Sequence, residues 1–307
     1  MKYHKIIRGI IFLLVCANNF NSFAQDETTN NDEEKPVKTK SGKGLHAGLY
    51  VGSYFANKYT AILYDGYGVD MEGNRNTFAT SFMSRKINDE YGGNNGQPDL
   101  IAQQLGVDHG MWSFTESDMP INIKYNVAFM VGLATKLGIN KKEAIILNVN
   151  SVKLTASGNF TITLDKPLNS NQLYGQYRTF GIRGTEQRLF LQLGYSRIVG
   201  DNDNLNFLVE GGLTGNTVKF DKNQIQINNL TLDLTTYYNL PGYAVYRPKG
   251  FSGFGLGAFA GLGFNLSMSD KATVQLLYTP SFEKINIGFS PTAKLQNAAG
   301  LRFYYNI

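Results

Sequence analysis

Residues 253–268, GFGLGAFAGLGFNLSM, decide the fold, because apolar side chains recur there at every second position. The even-numbered positions are apolar without exception: Phe254, Leu256, Ala258, Ala260, Leu262, Phe264, Leu266 and Met268. The odd-numbered positions hold glycine, asparagine, serine and a single phenylalanine. A period of two is that of a β-strand, because successive side chains of a strand point to opposite faces. In a helix, each glycine would cost roughly 1 kcal/mol. An apolar face that continues along the whole strand is typical of strands that cross lipid.

Seven other segments alternate in the same way. The eight predicted strands are 45–55, 122–138, 143–157, 187–199, 204–220, 253–268, 271–282 and 292–307. In the second strand, Tyr125 and Val127 are predicted to face outward, and Lys124 and Asn126 inward. These segments predict an all-β fold, an eight-stranded antiparallel up-and-down transmembrane β-barrel with long extracellular loops. A ten-stranded barrel is the alternative count.

The connections predict the orientation of the barrel. Strands two and three, four and five, and six and seven are joined by only a few residues, whereas the other connections span 56–121, 158–186, 221–251 and 283–291. In outer-membrane barrels the short turns are periplasmic and the longer loops extracellular. An even number of strands then places both termini in the periplasm. The expected location is the outer membrane of a Gram-negative cell.

Composition agrees with a membrane barrel. Tyrosine and phenylalanine are abundant, with 18 and 20 copies, while charged residues make up only 17% of the chain. This balance suits aromatic girdles around a barrel with few exposed charges. The sequence contains no apolar run of about 18 residues, so no transmembrane helix is predicted.

The first residues read as an export signal and a linker. Residues 1–24 have a basic start, an apolar middle and a Ser-Phe-Ala cleavage site, so they are predicted to be a signal peptide. Its removal takes away three cations, so the formal net charge of +5 does not indicate a nucleic-acid partner. Cys16, the only cysteine, lies in this segment; a lipid-modified cysteine is the alternative reading there. Residues 25–44 are polar and charged and are predicted to form a disordered periplasmic leader, followed by the barrel domain at 45–307.

The C-terminus carries a resemblance to a known class of proteins. Residues 300–305, GLRFYY, match the G-x-x-aromatic-x-aromatic ending of outer-membrane barrels through Gly300, Phe303 and Tyr305. The mature chain resembles the small eight-stranded outer-membrane barrel proteins, and its cleavage site and aromatic hairpins resemble those of Bacteroidota. The resemblance implies recognition by the barrel-assembly machinery. It differs in that the chain continues to Asn306 and Ile307 instead of ending on an aromatic residue.

The first loop, 56–121, is expected to be partly folded. Residues 98–105, PDLIAQQL, begin with proline in the first helical turn and are followed by Gly106, which is the pattern of a short helix. Long folded loops often carry function. Asp99, His109 and Trp112 are therefore the candidate surface for binding a partner.

Little in the sequence indicates catalysis or a cofactor. Outside the signal, the only histidines are His46 and His109, and neither is fixed in a serine-hydrolase arrangement by sequence alone. Residues 63–74 gather acids among glycines but do not match the spacing of the twelve-residue calcium loop. A glycine-rich turn is the preferred interpretation. No enzyme activity, cofactor or metal is expected, with a lipid hydrolase as the alternative.

An ion pair is predicted inside the barrel. Glu210 and Arg302 both face inward by parity, and each lies five residues from the periplasmic end of its strand. Lys136 falls near the same height and would compete for the carboxylate. The alternative is a wetter lumen in which Glu210 meets water.

Taken together, these features predict an outer-membrane barrel with a structural, surface-binding or complex-subunit role. The expected partners are outer-membrane lipid and lipopolysaccharide, the barrel-assembly machinery, and an envelope protein of unknown identity. Porin-like passage, or binding of a small or apolar solute, is the alternative. The inner faces of strands one and six are lined by glycine, although eight strands enclose room only for side chains or one small ligand.

Overall fold

The structure is a computed structural model that describes residues 44–70, 74–89, 96–165, 176–202, 204–235, 252–269, 271–286 and 292–307. The predicted signal peptide and residues 25–43 of the predicted leader therefore lie outside the described residues. Within the described ranges, no helix is long and apolar enough to cross a membrane.

Eight long strands form the body of the protein. They are β1 (Gly44–Phe55), β2 (Ala128–Gly138), β3 (Glu143–Leu164), β4 (Gln176–Val199), β5 (Leu205–Ile227), β6 (Ser252–Ser267), β7 (Ala272–Lys284) and β8 (Ala293–Asn306). Each pairs antiparallel with the next, and β8 pairs with β1 through residues such as Phe303 and Leu49. The pairing closes into an eight-stranded up-and-down barrel, as predicted.

The outer surface of the barrel divides into an apolar band and a polar extension. On β3 the outward residues Ile145, Leu147 and Val149 are exposed and apolar, whereas outward positions from Ser151 to Thr163 are polar. The inward side chains change the other way, because Asn148 and Asn150 give way to residues such as Phe160. β4 and β5 switch in the same manner. The phase of hydrophobic alternation therefore inverts where the band ends, as expected if the lower part faces lipid and the upper part faces water.

Strands extend into two of the predicted loops. The segment 158–186 was expected to be a loop, but β3 and β4 pair continuously up to Leu164 and Gln176. Residues at the start of the predicted loop 221–251 likewise extend β5 to Ile227, and a short strand, Leu230–Asp233, pairs back onto it. The prediction was wrong because it followed outward apolar residues, which disappear above the band although the strands continue.

A β-bulge changes which side chains face inward at the start of the second predicted strand. Tyr125 and Met130 are five positions apart in the sequence, but their partners Ala156 and Val152 are only four positions apart. The extra residue reverses the parity on the side of the bulge toward the cap. Tyr125 therefore faces inward, and Lys124 and Asn126 are exposed, contrary to the sequence prediction.

The first loop folds into a compact cap, which we define as the described residues of 57–121. Its helices are a 3-10 helix at Lys58–Tyr64, α1 (Phe82–Ile87), α2 (Gln97–Leu105) and a 3-10 turn at Glu116–Asp118. The predicted helix is confirmed, and Gly106 ends it with a left-handed φ of 70°.

The cap and the extended strands share one hydrophobic core. The cap contributes Met83, Ile87, Ile101, Leu105, Phe114 and Met119. The inner faces of β3, β4 and β5 contribute Phe160, Ile162, Leu164, Ile182, Ile225 and Ile227. Each such side chain stabilises the fold by roughly 1.5–3 kcal/mol when fully buried. The cap is therefore packed against the inner faces of the extended strands.

Candidate functional site: the cap and the filled lumen

The 3-10 helix of the cap is anchored to the barrel wall by a polar network. Tyr64 donates from its hydroxyl to Glu186 Oε2 at 2.6 Å, and Arg188 Nη2 donates to Thr60 Oγ1 at 3.1 Å. Glu186 and Arg188 are themselves joined, Nε to Oε1, at 2.6 Å. Tyr125, turned inward by the bulge, donates to the same carboxylate at 3.0 Å. Three side chains, those of Thr60, Tyr64 and Tyr125, thus converge on a charge pair that is shielded from solvent.

The charge pair at 186 and 188 is fully buried, with no exposed surface on either side chain. Removing one partner from such a pair usually costs about 3–5 kcal/mol, because the other charge stays buried and unpaired. The sequence did not predict this pair, because Glu186 falls at the end of the predicted loop 158–186. Opposite charges at two successive inward positions of a strand were the available signal.

A glycine makes room for the cap on the wall. A Cβ built on Gly184 of β4 would lie 1.9 Å from Cδ1 of Tyr64. The Tyr64 ring stacks on Phe220 of β5, with centroids 5.6 Å apart. The 3-10 helix can approach the wall this closely only because residue 184 has no side chain.

The lower lumen holds the ion pair foreseen from parity. Arg302 Nη1 donates to Glu210 Oε2 at 2.8 Å, and Nη2 donates to Oε1 at 3.2 Å. Arg302 Nη1 also contacts Gln275 Oε1 at 3.3 Å, and Gln275 donates to Asn265 Oδ1 at 2.9 Å. Both charged side chains are at most 3% exposed. Whether this pair locks the barrel energetically remains a prediction.

Polar side chains of neighbouring strands occupy the space beside several glycines of the barrel wall. A Cβ on Gly261 of β6 would lie 2.4 Å from Glu210 Cγ, and one on Gly132 of β2 would lie 2.0 Å from Asn150 Oδ1. At the level of the lower ion pair, the space that glycine leaves is therefore occupied and does not form an open path.

A further layer of buried side chains separates the two ion pairs. It contains Tyr50, Tyr54, Ala128, Met130, Val152, Leu154, Phe190 and Ala298. Rings of Tyr54 and Phe190 lie 5.3 Å apart between centroids. The side chains of this layer are buried in the barrel interior between the polar networks.

The candidate surface of the cap is only partly assembled. His109 Nδ1 lies 2.5 Å from Asp99 Oδ1, and their side chains are 67% and 47% exposed. Trp112 instead pairs with Leu164 in a two-residue strand, and it packs against the cap core. The structure therefore joins Asp99 with His109 on the surface and turns Trp112 toward the interior.

Neither histidine is placed in a hydrolase arrangement. The recorded hydrogen bond of His109 is to Asp99, and Ser113 lies in the small strand that pairs with Thr163. His46 lies at the opposite end of the barrel, paired across the sheet with Lys136. Among the described residues, no hydrogen bond joins a serine to either imidazole, although Ser196 and Ser267 line the same small cavity as His46.

The acidic, glycine-rich segment of the cap forms turns. Asp65 accepts a hydrogen bond from the Tyr67 amide at 2.9 Å and from Arg75 Nη2 at 2.7 Å. Burial raises the pKa of the Asp65 carboxyl, although both of those partners lower it. Gly66 and Gly68 have positive φ values of 83° and 71°. In the described part of the chain, no group of three or more acidic, histidine or cysteine side chains could hold a metal ion.

The residues of the assembly motif lie on the last strand. Phe303 and Tyr305 point outward into the apolar band, with 43% and 56% of their surface exposed. Gly300 pairs with Gly52, and the Tyr50 hydroxyl lies 2.7 Å from where its Cβ would be. The aromatic pair is thus available for recognition, while Gly300 has a packing role.

Comparison with known proteins returned only structural similarities. No family model and no curated protein matches the chain. Ail, the attachment invasion locus protein of Yersinia pestis, solved with the heparin analogue sucrose octasulfate, is 10% identical, with a TM-score of 0.35 over 88% of this chain and 100% of Ail. The outer membrane protein OprG from Pseudomonas aeruginosa is 11% identical, with a TM-score of 0.36 over 89% and 100% of the two chains. The outer membrane protein AlkL is 8% identical, with a TM-score of 0.26 over 91% and 98%. The strand pairing described above carries the fold assignment by itself.

Proposed function

We propose that the protein is a non-enzymatic outer-membrane barrel that is closed to passage and acts through its folded cap. In this role it either binds a partner at the cell surface or forms part of an envelope complex. The exposed apolar band supports a membrane location, since side chains as apolar as Leu213 are 70% exposed. The short turns at one end and the cap at the other support periplasmic termini and an extracellular cap. We further propose that residues 1–24 are a signal peptide and that the chain is of the Bacteroidota type.

The observation that carries the proposal is the core shared by the cap and the wall. A loop that merely connected two strands would not bury residues such as Ile101 and Leu105 against Phe160 and Ile225. Packing of this kind holds the cap in one conformation and presents a defined outer surface. Surfaces with fixed side chains suit recognition, because less conformational entropy is lost on binding.

Solute passage is the competing function. It requires a continuous path through the lumen, but the ion pairs at Glu186–Arg188 and Glu210–Arg302 and the layer around Tyr54 occupy successive levels. Planar-bilayer recordings of the refolded protein test this point. We expect no single-channel steps. Reproducible steps from the wild-type protein would contradict a closed lumen.

A surface-binding role predicts capture that depends on the cap. Protein solubilised from the outer membrane in mild detergent would be isolated with its partners and compared with an Asp99→Ala/His109→Ala variant. Because both side chains lie on the cap surface, the double variant should retain the barrel and lose a bound partner. Asp201→Ala, in the short turn at the other end, is the matched control and should retain it. Equal recovery of the partner with the wild-type protein and both variants would show that this cap surface does not bind it.

The hydrolase alternative is tested separately with labelled lipopolysaccharide. Neither histidine is hydrogen-bonded to a serine among the described residues, so we expect no deacylation above that of a His46→Gln/His109→Gln variant.

A further inference from the structure

A small polar cavity opens inside the barrel at the end that carries the short turns. Its volume is about 160 Å³. That is roughly five times the ~30 Å³ that one water molecule takes up in the liquid, so a small ion with a few waters fits and a nucleotide does not. Its inner lining comes from opposite sides of the barrel: His46 on β1, Lys136 on β2, Ser196 on β4, Asn265 on β6, and Thr273 and Gln275 on β7.

The cavity contains a cation that has no carboxylate partner among the described residues. Lys136 is the cross-strand neighbour of His46, and its Nζ lies 5.1 Å from the centre of the Tyr304 ring. The competition for Glu210 that the sequence suggested does not occur, because Arg302 occupies both oxygens of that carboxylate. A positive charge so enclosed favours an anion nearby.

Of the other charged groups at this opening, Lys142 is paired with Asp201, and Glu143 keeps its negative charge, so three lysines stand against two carboxylates. Lys142 Nζ contacts Asp201 Oδ1 at 2.5 Å, and Glu143 Oε2 accepts a hydrogen bond from Asn140 Nδ2 at 2.6 Å. Lys141 adds one more cation at the rim. The cavity therefore has an excess of positive charge centred on Lys136.

Hydrogen-bond donors surround the same space. Asn265 uses its Oδ1 to accept from Gln275, which leaves its amide NH2 as a donor. Ser196 is buried beside it, and Thr273 presents a hydroxyl from the neighbouring strand. A compact oxyanion can accept several hydrogen bonds from such groups, whereas chloride has no directional acceptors.

We infer that this cavity is a binding site for a small oxyanion, with the Lys136 ammonium as its central charge. The inference is independent of the cap and of the role proposed for it. It assigns a ligand-binding role to the polar side chains at this end of the lumen, in addition to their role in packing.

Calorimetric titration of the full chain in detergent micelles with inorganic phosphate tests the inference. The ionic strength is held constant with sodium chloride, so that general screening is the same throughout. We expect saturable one-to-one binding to the wild-type protein. Failure of phosphate to bind more tightly than chloride would overturn the proposal, whatever the variants show.

The variants locate the charge. A hydrogen bond to a charged group contributes about 1.5–3 kcal/mol, so Lys136→Met should weaken phosphate binding by roughly ten- to a hundredfold. Lys142→Met, at the rim and paired with Asp201, is the matched control and should change affinity less than about threefold. If Lys136→Met does not fold, Lys136→Gln takes its place: it keeps a polar side chain, removes the charge and should also weaken phosphate binding. Equal affinity in a folded Lys136 variant, or an equal loss in Lys142→Met, would refute the assignment.

Discussion

The buried pair between Glu210 and Arg302 allows a quantitative test of how the lumen is held together. The change consists of Glu210→Gln, Arg302→Met and the double variant, each close in size to the original side chain. Two hydrogen bonds of 2.8 and 3.2 Å join the charged groups, and both side chains are at most 3% exposed. Each single change should therefore lower the free energy of unfolding by about 3–5 kcal/mol.

The double variant decides whether the two residues act together. In Glu210→Gln, Arg302 keeps only the 3.3 Å contact with Gln275 and a weaker one with the new amide. In Arg302→Met, the carboxylate is left without a cation. Because the double variant has neither orphaned charge, its loss should be smaller than the sum of the single losses by about 2–3 kcal/mol.

Urea unfolding in the presence of lipid vesicles, followed by the tryptophan signal and by the heat-modifiable band on gels, measures these losses. Trp112 is the only tryptophan and lies in the cap, so the gel reports the barrel independently. Losses that simply add would refute the coupling, and losses below about 1 kcal/mol would show that the lower lumen is hydrated around both charges.

Two further predictions concern the cap and assembly. Gly184→Ala places a Cβ 1.9 Å from Tyr64 and should destabilise the packing of the cap by about 1–3 kcal/mol, seen as faster proteolysis of the first loop. Gly181→Ala, on the same strand with no atom within 4 Å of the new Cβ, is its control and should leave the cleavage rate unchanged; equal rates in both variants would contradict the close approach. Replacing Phe303 and Tyr305 with alanine removes the outward aromatic residues of the last strand, and we expect loss of the heat-modifiable band from outer-membrane fractions. Normal amounts of folded barrel would show that these aromatics are not read during assembly.

The sequence predicted the barrel because its strongest pattern, the alternation in 253–268, is set by lipid on one face and a narrow lumen on the other. Parity together with the distance from the strand ends also indicated that Glu210 and Arg302 share a height in the barrel. These inferences depend only on the two-residue period and the up-and-down connectivity.

The same reasoning failed where the environment of the strands changes. Above the apolar band the outward residues are polar, such as Lys153, and the inward residues are apolar, such as Ile162. The alternation continues there in the opposite phase, and it was read as loop. The bulge before Met130 could not be predicted, since one inserted residue leaves no mark in composition yet turns Tyr125 into the lumen.

The fold of the cap lay mostly beyond sequence reasoning. Its helix at Gln97–Leu105 has local signals, but its position depends on long-range contacts with β3, β4 and β5. Trp112 was predicted to belong to the candidate surface because it follows the predicted helix in a long loop expected to be folded, whereas in the structure it packs against the shared core. The polar anchor at Glu186 and Arg188 was missed for the same reason as the strand extensions.

The central claim is that a membrane-spanning barrel carries a folded cap on the outside of the cell. Cysteine accessibility tests it most directly, because the only native cysteine lies in the predicted signal peptide. Asp108→Cys, exposed on the cap, is compared with Asp201→Cys in a short turn. A membrane-impermeant maleimide should label Asp108→Cys in intact cells and Asp201→Cys only after the outer membrane is permeabilised. Labelling of Asp201→Cys in intact cells, with Asp108→Cys protected, would contradict the account.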